Sequence, residues 1–274
     1  MPINLNFKYK ELIEILESQS PFIPDIALIL GSGLGNFVNS LHLEKSFSTN
    51  ELPGYPPSTI VGHQGKIHFA QYSGKKLLIF QGRIHLYEGY KIWECILPVF
   101  LAYKMNTKYL LLTNAAGGVN KNFSPGDFML ATSFNGLFIK NELMKLIGIA
   151  SLEGKNNFLR LPSSSLNSLI KKASGEISLD LKEGVYWFIK GPSYETPAEI
   201  KMIKKFSGDA TGMSTVHEAV FAAYLGIETS AVSCITNLAA GISPKKLSHE
   251  EVTSTAKLVE KKLENLLKQT IGLI

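Results

Sequence analysis

Cysteine is scarce in this chain. Only two occur in 274 residues, Cys95 and Cys234, far apart and without metal-ligand spacing. That argues against a cysteine zinc site or a disulfide scaffold and fits a reducing compartment. Long apolar runs are also lacking. The longest, Cys95 to Tyr103, is far too short to cross a bilayer. The N-terminus, MPINLNFKYKELIEILES, is an amphipathic, charged helix pattern rather than a secretory apolar block. A cytoplasmic protein with no membrane partner is expected. Basic residues never run longer than two in a row, and 28 Lys and Arg against 23 Asp and Glu leave a net charge of only +5. This balance permits an anionic ligand but gives no support for nucleic acid.

What is present suffices for a sizeable core. The chain is 45% hydrophobic and 19% charged, too little charge for disorder. By the prior of roughly 150 residues per domain, the length allows one large domain or two small ones. No repeat, linker or low-complexity stretch divides it. Short β-rich runs alternate with helical patterns. Strands are predicted at Ile26–Leu30, Ile67–Tyr72, Leu77–Gln81, Tyr109–Thr113, Val185–Ile189 and Thr229–Ile235. Helices are predicted at Lys8–Ser18, Ile92–Met105, Leu166–Ala173, Pro197–Phe206, Thr215–Tyr224 and His249–Lys268. This alternation predicts an α/β fold with a mostly parallel sheet between helices. Pro98 should kink the second helix. Capping boxes of the S/T-x-x-E type at Thr196–Glu199, Thr215–Glu218 and Ser248–Glu251 mark three helix starts.

Five apolar runs lead at once into glycine or functional polar residues. They are followed by Gly31-Ser32-Gly33-Leu34-Gly35, Gln81-Gly82-Arg83-Ile84-His85, Asn114-Ala115-Ala116-Gly117-Gly118, Gly191-Pro192-Ser193-Tyr194-Glu195 and Thr236-Asn237. Ligands of open α/β sheets sit beyond the carboxyl ends of the strands, so the clusters predict one composite site. The Gly31–Gly35 turn lets backbone approach an anion closely, with Ser32 adding a hydroxyl. Gln81, Arg83, His85 and Tyr87 fall at spacing two and share a face in extended chain. Arg83 offers a donor fork for phosphate, His85 a further donor, and Tyr87 a partner for a sugar hydroxyl. Gly212-Met213-Ser214, ahead of a helix start, is either a second anion contact or a plain cap. Glu195 could aim a carboxylate at ring N–H donors or be solvated, and Tyr194 could stack on a base or merely pack. Asn237 could serve a heterocycle or tie down its loop.

Other chemistries fit worse. The dinucleotide fingerprint fails at Asn36, no Walker lysine follows, and neither G-x-S-x-G nor H-E-x-x-H occurs. His68 and His217 read as structural or surface residues. An anion turn, an Arg, a second anion contact and separate Tyr, Glu and Asn contacts suggest a phosphate beside a sugar and a base.

At these residues the chain resembles the trimeric purine nucleoside phosphorylases, specifically the bacterial enzymes for inosine and guanosine. The resemblance runs from about Ile26 to the last helix. It rests on ILGSGLG, LPGYP with VGHQGK, FQGRIHLYEGY, LTNAAGG, GPSYETPAE, ATGMSTVHE, TNLAAG and SHEEV. It implies a single three-layer α/β domain over residues 1–274, with a mixed, mostly parallel central sheet flanked by helices. Ser32, His63, Arg83, His85, the Ala115 backbone and Ser214 would hold phosphate. Tyr87, Met213 and His249 would hold ribose. Tyr194, Glu195 and Asn237 would hold the purine. Asn237, Glu195 and His85 would carry catalysis, with inorganic phosphate as co-substrate and neither cofactor nor metal. The family assembly is a homotrimer. From Ser133 to Ser165 the chain departs from the family's pattern: an Asn-Pro-Leu element is missing, and Phe158 or Leu161 is the candidate for the aromatic lent to a neighbouring subunit. The rival readings are a 5′-methylthioadenosine phosphorylase, a catalytically dead nucleoside-binding protein and a nicotinamide dehydrogenase.

Overall fold

The computed structural model describes residues 3–57, 64–148, 151–243 and 249–274, with the main chain alone at 249–250. Among these residues nine strands form one sheet: β1 (Ile26–Leu30), β2 (His42–Ser48), β3 (Lys66–Tyr72), β4 (Lys75–Gln81), β5 (Tyr109–Gly118), β6 (Phe128–Asn135), β7 (Leu181–Phe188), β8 (Ala210–Gly212) and β9 (Glu228–Leu238). Ten α-helices accompany them among the described residues: α1 (Leu5–Lys8), α2 (Lys10–Gln19), α3 (Ile92–Cys95), α4 (Leu97–Lys104), α5 (Lys140–Ile147), α6 (Leu152–Phe158), α7 (Ser164–Glu176), α8 (Pro197–Lys205), α9 (Val216–Tyr224) and α10 (His249–Leu273).

β1 shows how the sequence builds the layers. All five of its residues are apolar and buried, as expected of a parallel strand covered on both faces. Ala27 and Ile29 point into one core, with Leu12 and Leu16 of α2, Val99 of α4 and Ala219 of α9. Ile26, Leu28 and Leu30 point into the other, with Ile170 of α7 and Leu263 and Leu266 of α10. The period-two alternation therefore separates two helical layers across one sheet.

The sheet order is β2-β3-β4-β1-β5-β8-β7-β6-β9, and β9 also pairs with β5. The five strands β5, β8, β7, β6 and β9 thus close on themselves, while β2, β3, β4 and β1 extend from β5 as an open sheet. β5 pairs with β1 only over Tyr109–Leu112 and with β8 only at Gly117 and Gly118. Between these contacts its edge opens at Thr113–Ala116. That gap is the switch point where a crevice is expected.

The mixed character is close to balanced. Parallel pairs are β1–β4, β1–β5, β5–β9, β6–β7 and β7–β8; antiparallel pairs are β2–β3, β3–β4, β5–β8 and β6–β9. β3 and β4 are joined by Ser73 and Gly74, both at positive φ, which fits the two-residue hairpin turn that follows sheet twist.

Several sequence expectations are refined. The helix expected over Ile92–Met105 is two, broken at Ile96, because Pro98 is accommodated in the first turn of α4 and not mid-helix. β2 was not predicted: it is largely exposed and has no buried face to impose alternation. β6, β8, α5 and α6 were also not predicted. α5 and α6 lie in the segment that departs from the family pattern. Among the described residues, no helix is long and apolar enough to cross a membrane.

Candidate active site

The crevice beside β5 is built from residues of β5, β8 and β9 and from the loops that leave β1, β4, β7 and β8. The first leaves β1. Gly31 donates its N–H to Thr113 Oγ1 at 3.1 Å, and a Cβ on Gly31 would lie 2.7 Å from Asn114 Cα and Thr113 O. Only glycine permits this approach of two backbones, and it turns Ser32 into the crevice. A 3-10 helix over Gly35–Ser40 follows, not an α-helix.

The second loop leaves β4 and supplies Arg83 and His85. Arg83 is 2% exposed and pairs with Glu218, itself fully buried, at 2.9 Å and 3.1 Å from Nε. Its Nη1 donates to Thr113 O at 2.8 Å. The guanidinium is thereby clamped between β5 and the first turn of α9. His85 Nδ1 lies 2.9 Å from Glu88 Oε1, which also accepts the His85 main-chain N–H at 2.8 Å. An acceptor shared this way selects the tautomer with the proton on Nδ1. Burial lowers the His85 pKa more than Glu88 raises it, which favours a neutral ring. The Tyr87 ring stacks on it at 4.7 Å.

Gln81 is a correction to the shared face predicted for Gln81, Arg83, His85 and Tyr87. It turns away from the crevice, accepting from or donating to nothing there: it meets His68 Nε2 at 2.9 Å and Gly35 O at 2.8 Å. The strand ends at Gln81, and Gly82 at φ 125° breaks the extended alternation. His68 is correspondingly a buried structural residue, also bonded to Ser46 at 2.7 Å.

The third contribution is β5 itself, which exposes Ala115, Ala116 and Gly117 to the crevice. The fourth is the turn after β8. Ser214 is buried, and Thr215 sits at φ 73°, ψ −51° with a Val216 N–H to Ser214 O bond of 2.8 Å. That is a γ-turn held at a strained position for a β-branched residue. The expected Thr215–Glu218 capping box is therefore not formed. Thr215 Oγ1 instead accepts from Asn114 Nδ2 at 3.0 Å, and Glu218 serves Arg83. The Thr196–Glu199 box does form. Ser248 of the third box lies outside the described residues.

The same crevice holds Glu195 and Asn237. Glu195 Oε1 accepts from Thr211 Oγ1 at 2.7 Å, and burial raises its carboxyl pKa. Asn237 is 5% exposed; Thr236 Oγ1 donates to its Oδ1 at 3.0 Å, and its Nδ2 reaches Leu238 O at 3.2 Å.

Ser32, Arg83, His85, Tyr87, Ala115, Tyr194, Glu195, Met213, Ser214 and Asn237 thus line one cavity, of about 120 Å³. His63 lies outside the described residues, and for His249 only the main chain, at the start of α10, is described. A larger cavity of about 890 Å³ lies beside α5, lined mainly by apolar residues with Lys91, Lys145 and Lys190 in its wall. Glu142 and Lys190 in its lining already pair with each other at 2.7 Å. The smaller cavity is the candidate site on chemical grounds.

Sequence reasoning missed Glu218, Glu88 and Thr211. A signal existed for Glu218: it is a lone acid among apolar residues of a helix that must be buried. Phe158 stacks on Tyr224 of its own chain at 6.3 Å, and Leu161 packs against its own core. His217 is fully buried with no hydrogen-bond partner in the protein, and burial pushes its pKa down to about 4. Among the described residues, no cluster of His, Cys, Asp and Glu could hold a metal ion.

This fold, with its polar crevice beside β5, defines a phosphorylase-type protein, and residues 25–272 match the family model described as the phosphorylase superfamily. The curated purine nucleoside phosphorylase 1 of Geobacillus stearothermophilus is 38% identical over 260 residues, covering 92% of each chain. Solved structures of the Schistosoma mansoni purine nucleoside phosphorylase are similar over 99% of this chain and 98% of theirs. The complex with inosine has a TM-score of 0.87 at 28% identity, and the complex with adenosine 0.86 at 30%. The chain belongs to the purine nucleoside phosphorylases of that superfamily.

Proposed function

We propose that this enzyme cleaves 6-oxopurine nucleosides, namely inosine, guanosine and their 2′-deoxy forms, by reversible phosphorolysis. The products are the free purine and α-D-(deoxy)ribose 1-phosphate, a purine-salvage reaction. The observation that carries the reading is the convergence of Ser32, Arg83, His85 and Ser214 with Glu195 and Asn237 in one cavity.

Phosphate binds in the cradle of Ser32, Arg83, the Ala115 backbone and Ser214, with His63 as a further ligand. A neutral His85 with its proton on Nδ1 presents Nε2 as an acceptor, which suits the P–OH of monohydrogen phosphate. Tyr87, Met213 and His249 hold the ribose, and Tyr194 packs on the base. Glu195 accepts from N1–H, and from the 2-amino group of guanine.

The glycosidic bond stretches until the sugar carries oxocarbenium-like charge. Phosphate below C1′ stabilises that charge and then attacks with inversion. Electrons of the broken bond pass to the purine, whose imidazole ring becomes more negative; the departing base then takes up a proton from solvent, balancing the proton that the phosphate loses once esterified. A hydrogen bond from Asn237 to N7 strengthens as this charge develops, so it lowers the barrier and not only the ground state. Holding two substrates in line supplies much of the remainder. The chemistry needs no cofactor beyond the co-substrate phosphate. One domain over residues 1–274, a homotrimer and a cytoplasmic location complete the reading.

The adenosine-bound relative makes base preference the point to test. Inosine, guanosine, adenosine and 5′-methylthioadenosine are assayed with and without phosphate. Phosphate-dependent turnover of inosine and guanosine above the other two is expected. Equal turnover of adenosine, or cleavage of inosine in phosphate-free buffer, overturns the reading. Light scattering tests the trimer.

A further inference from the structure

Glu195 sits in the stretch between β7 and α8, which belongs to no regular element. Its flanks are tied down by hydrogen bonds from main-chain N–H groups. Ile189 N–H donates to Gly212 O at 2.9 Å before it, and Thr196 N–H donates to Glu199 Oε2 at 2.7 Å after it. The carboxylate that must meet the base is tied to the sheet by a side chain, Thr211 of β8.

Thr211 is placed with unusual definition for a residue of a three-residue strand. It pairs with Gly117 of β5 on one side and Trp187 of β7 on the other, and is 2% exposed. Gly117 is also the register partner of Asn237 on β9. A Cβ on Gly117 would lie 3.4 Å from Asn237 Nδ2 and 3.6 Å from Thr211 Cγ2. Thr211 and Asn237 therefore flank one bare glycine on adjacent strands. The two groups assigned to the base are indexed to the same point of the sheet, Asn237 directly and Glu195 through the Thr211 hydroxyl.

We infer that Thr211 is a positioning residue for purine recognition: its hydroxyl holds the Glu195 carboxylate in register with Asn237 and in its acceptor state, so that the site prefers a base with an N1–H donor. The inference rests on the proposed phosphorolysis and deepens it. A hydroxyl donor to a buried carboxylate stabilises the charged form and opposes the burial that disfavours it. A 6-oxopurine brings N1–H and matches an acceptor. A 6-aminopurine brings a bare N1 and matches only a donor. Losing the Thr211 hydroxyl frees the carboxylate to rotate and to take up a proton, and both effects fall on the base alone.

The test uses the full chain with Thr211→Val, which keeps the shape and removes the hydroxyl, and Thr211→Ser, which keeps the hydroxyl. KM and kcat are measured for inosine, adenosine and phosphate. A hydrogen bond to a charged group is worth enough that Thr211→Val is expected to raise the inosine KM about tenfold. The phosphate KM stays within about twofold, kcat falls less than about threefold, and the preference for inosine over adenosine shrinks, because the phosphate cradle is untouched. Thr211→Ser recovers most of the inosine KM. An inosine KM in Thr211→Val within about twofold of the parent overturns the inference, as does a parallel rise of both KM values or a Thr211→Ser as impaired as Thr211→Val. Failure of the parent enzyme to phosphorolyse inosine is a separate result: it overturns the proposed function itself, before any variant is compared.

Discussion

Arg83 and Glu218 form an ion pair whose side chains are 1% and 0% exposed, with Nε 2.9 Å from Oε1. They are 135 residues apart in the chain. The pair costs desolvation on both sides and is retained where its guanidinium meets the proposed phosphate. Glu218 offsets much of the local positive charge, so the proposed phosphate cradle depends on aimed donors more than on net charge.

Removing Glu218 strands a buried guanidinium. Glu218→Ala is expected to lose about 3–5 kcal/mol of stability, measurable by denaturant unfolding. Glu218→Gln keeps an acceptor for Nε and should lose less, while raising the phosphate KM because Arg83 is less firmly aimed. Equal stability of Glu218→Ala and the parent would show that the pair is not a structural clamp.

Thr215 holds its γ-turn against its own side chain. Thr215→Ala removes the acceptor for the buried Asn114 amide and keeps the strained φ, and should destabilise by about 1–3 kcal/mol. Thr215→Gly loses the same hydrogen bond but relaxes the backbone, and should recover about 1 kcal/mol relative to Thr215→Ala. Thermal unfolding of both variants gives the order directly.

His217 makes the fold acid-sensitive. Its folded pKa of about 4 has burial as the first cause; Arg83 and His85 lower it further, and Glu218 opposes them. The unfolded chain binds a proton near the ordinary value of about 6.5, so between the two values unfolding takes up a proton. Stability present above pH 6.5 is therefore lost as pH falls toward 4, by up to about 3 kcal/mol from this group. His85 shifts in the same direction and adds to the loss. His217→Leu should flatten the acid limb of a stability–pH curve and cost little at neutral pH, because neither ring nitrogen has a protein partner. An unchanged acid limb would assign the sensitivity elsewhere.

Asn237 tests base selection from the other side of Gly117. Asn237→Asp replaces an amide donor with a carboxylate acceptor and should move the kcat/KM ratio toward adenosine, whose 6-amino group donates. A ratio equal to that of the parent would remove the role given to Asn237.

Most of the site was legible because its residues lie where apolar runs stop. Ser32 follows a five-residue buried strand, Arg83 and His85 follow β4, and Asn237 lies near the end of β9. Burial makes a strand's apolar run readable, and the parallel connections bring several strand ends together. Gln81 shows where that logic stops. Period two holds only while the chain stays extended: β4 ends at Gln81, which bonds to His68, and beyond Gly82 at φ 125° Arg83 pairs with Glu218.

The amino-acid sequence by itself determined the alternation of elements, the two helical layers and the chemical inventory of the crevice, because each is a local property of pattern and residue type. Only the tertiary structure decided how β5 is shared between the open sheet and the closed five-strand ring, which opens the crevice at Thr113–Ala116. It also decided the partners of the functional side chains: Glu218 for Arg83, Glu88 for His85 and Thr211 for Glu195. Strand register and helix packing set these contacts, and no spacing along the chain encodes the distance between Arg83 and Glu218 or Glu195 and Thr211.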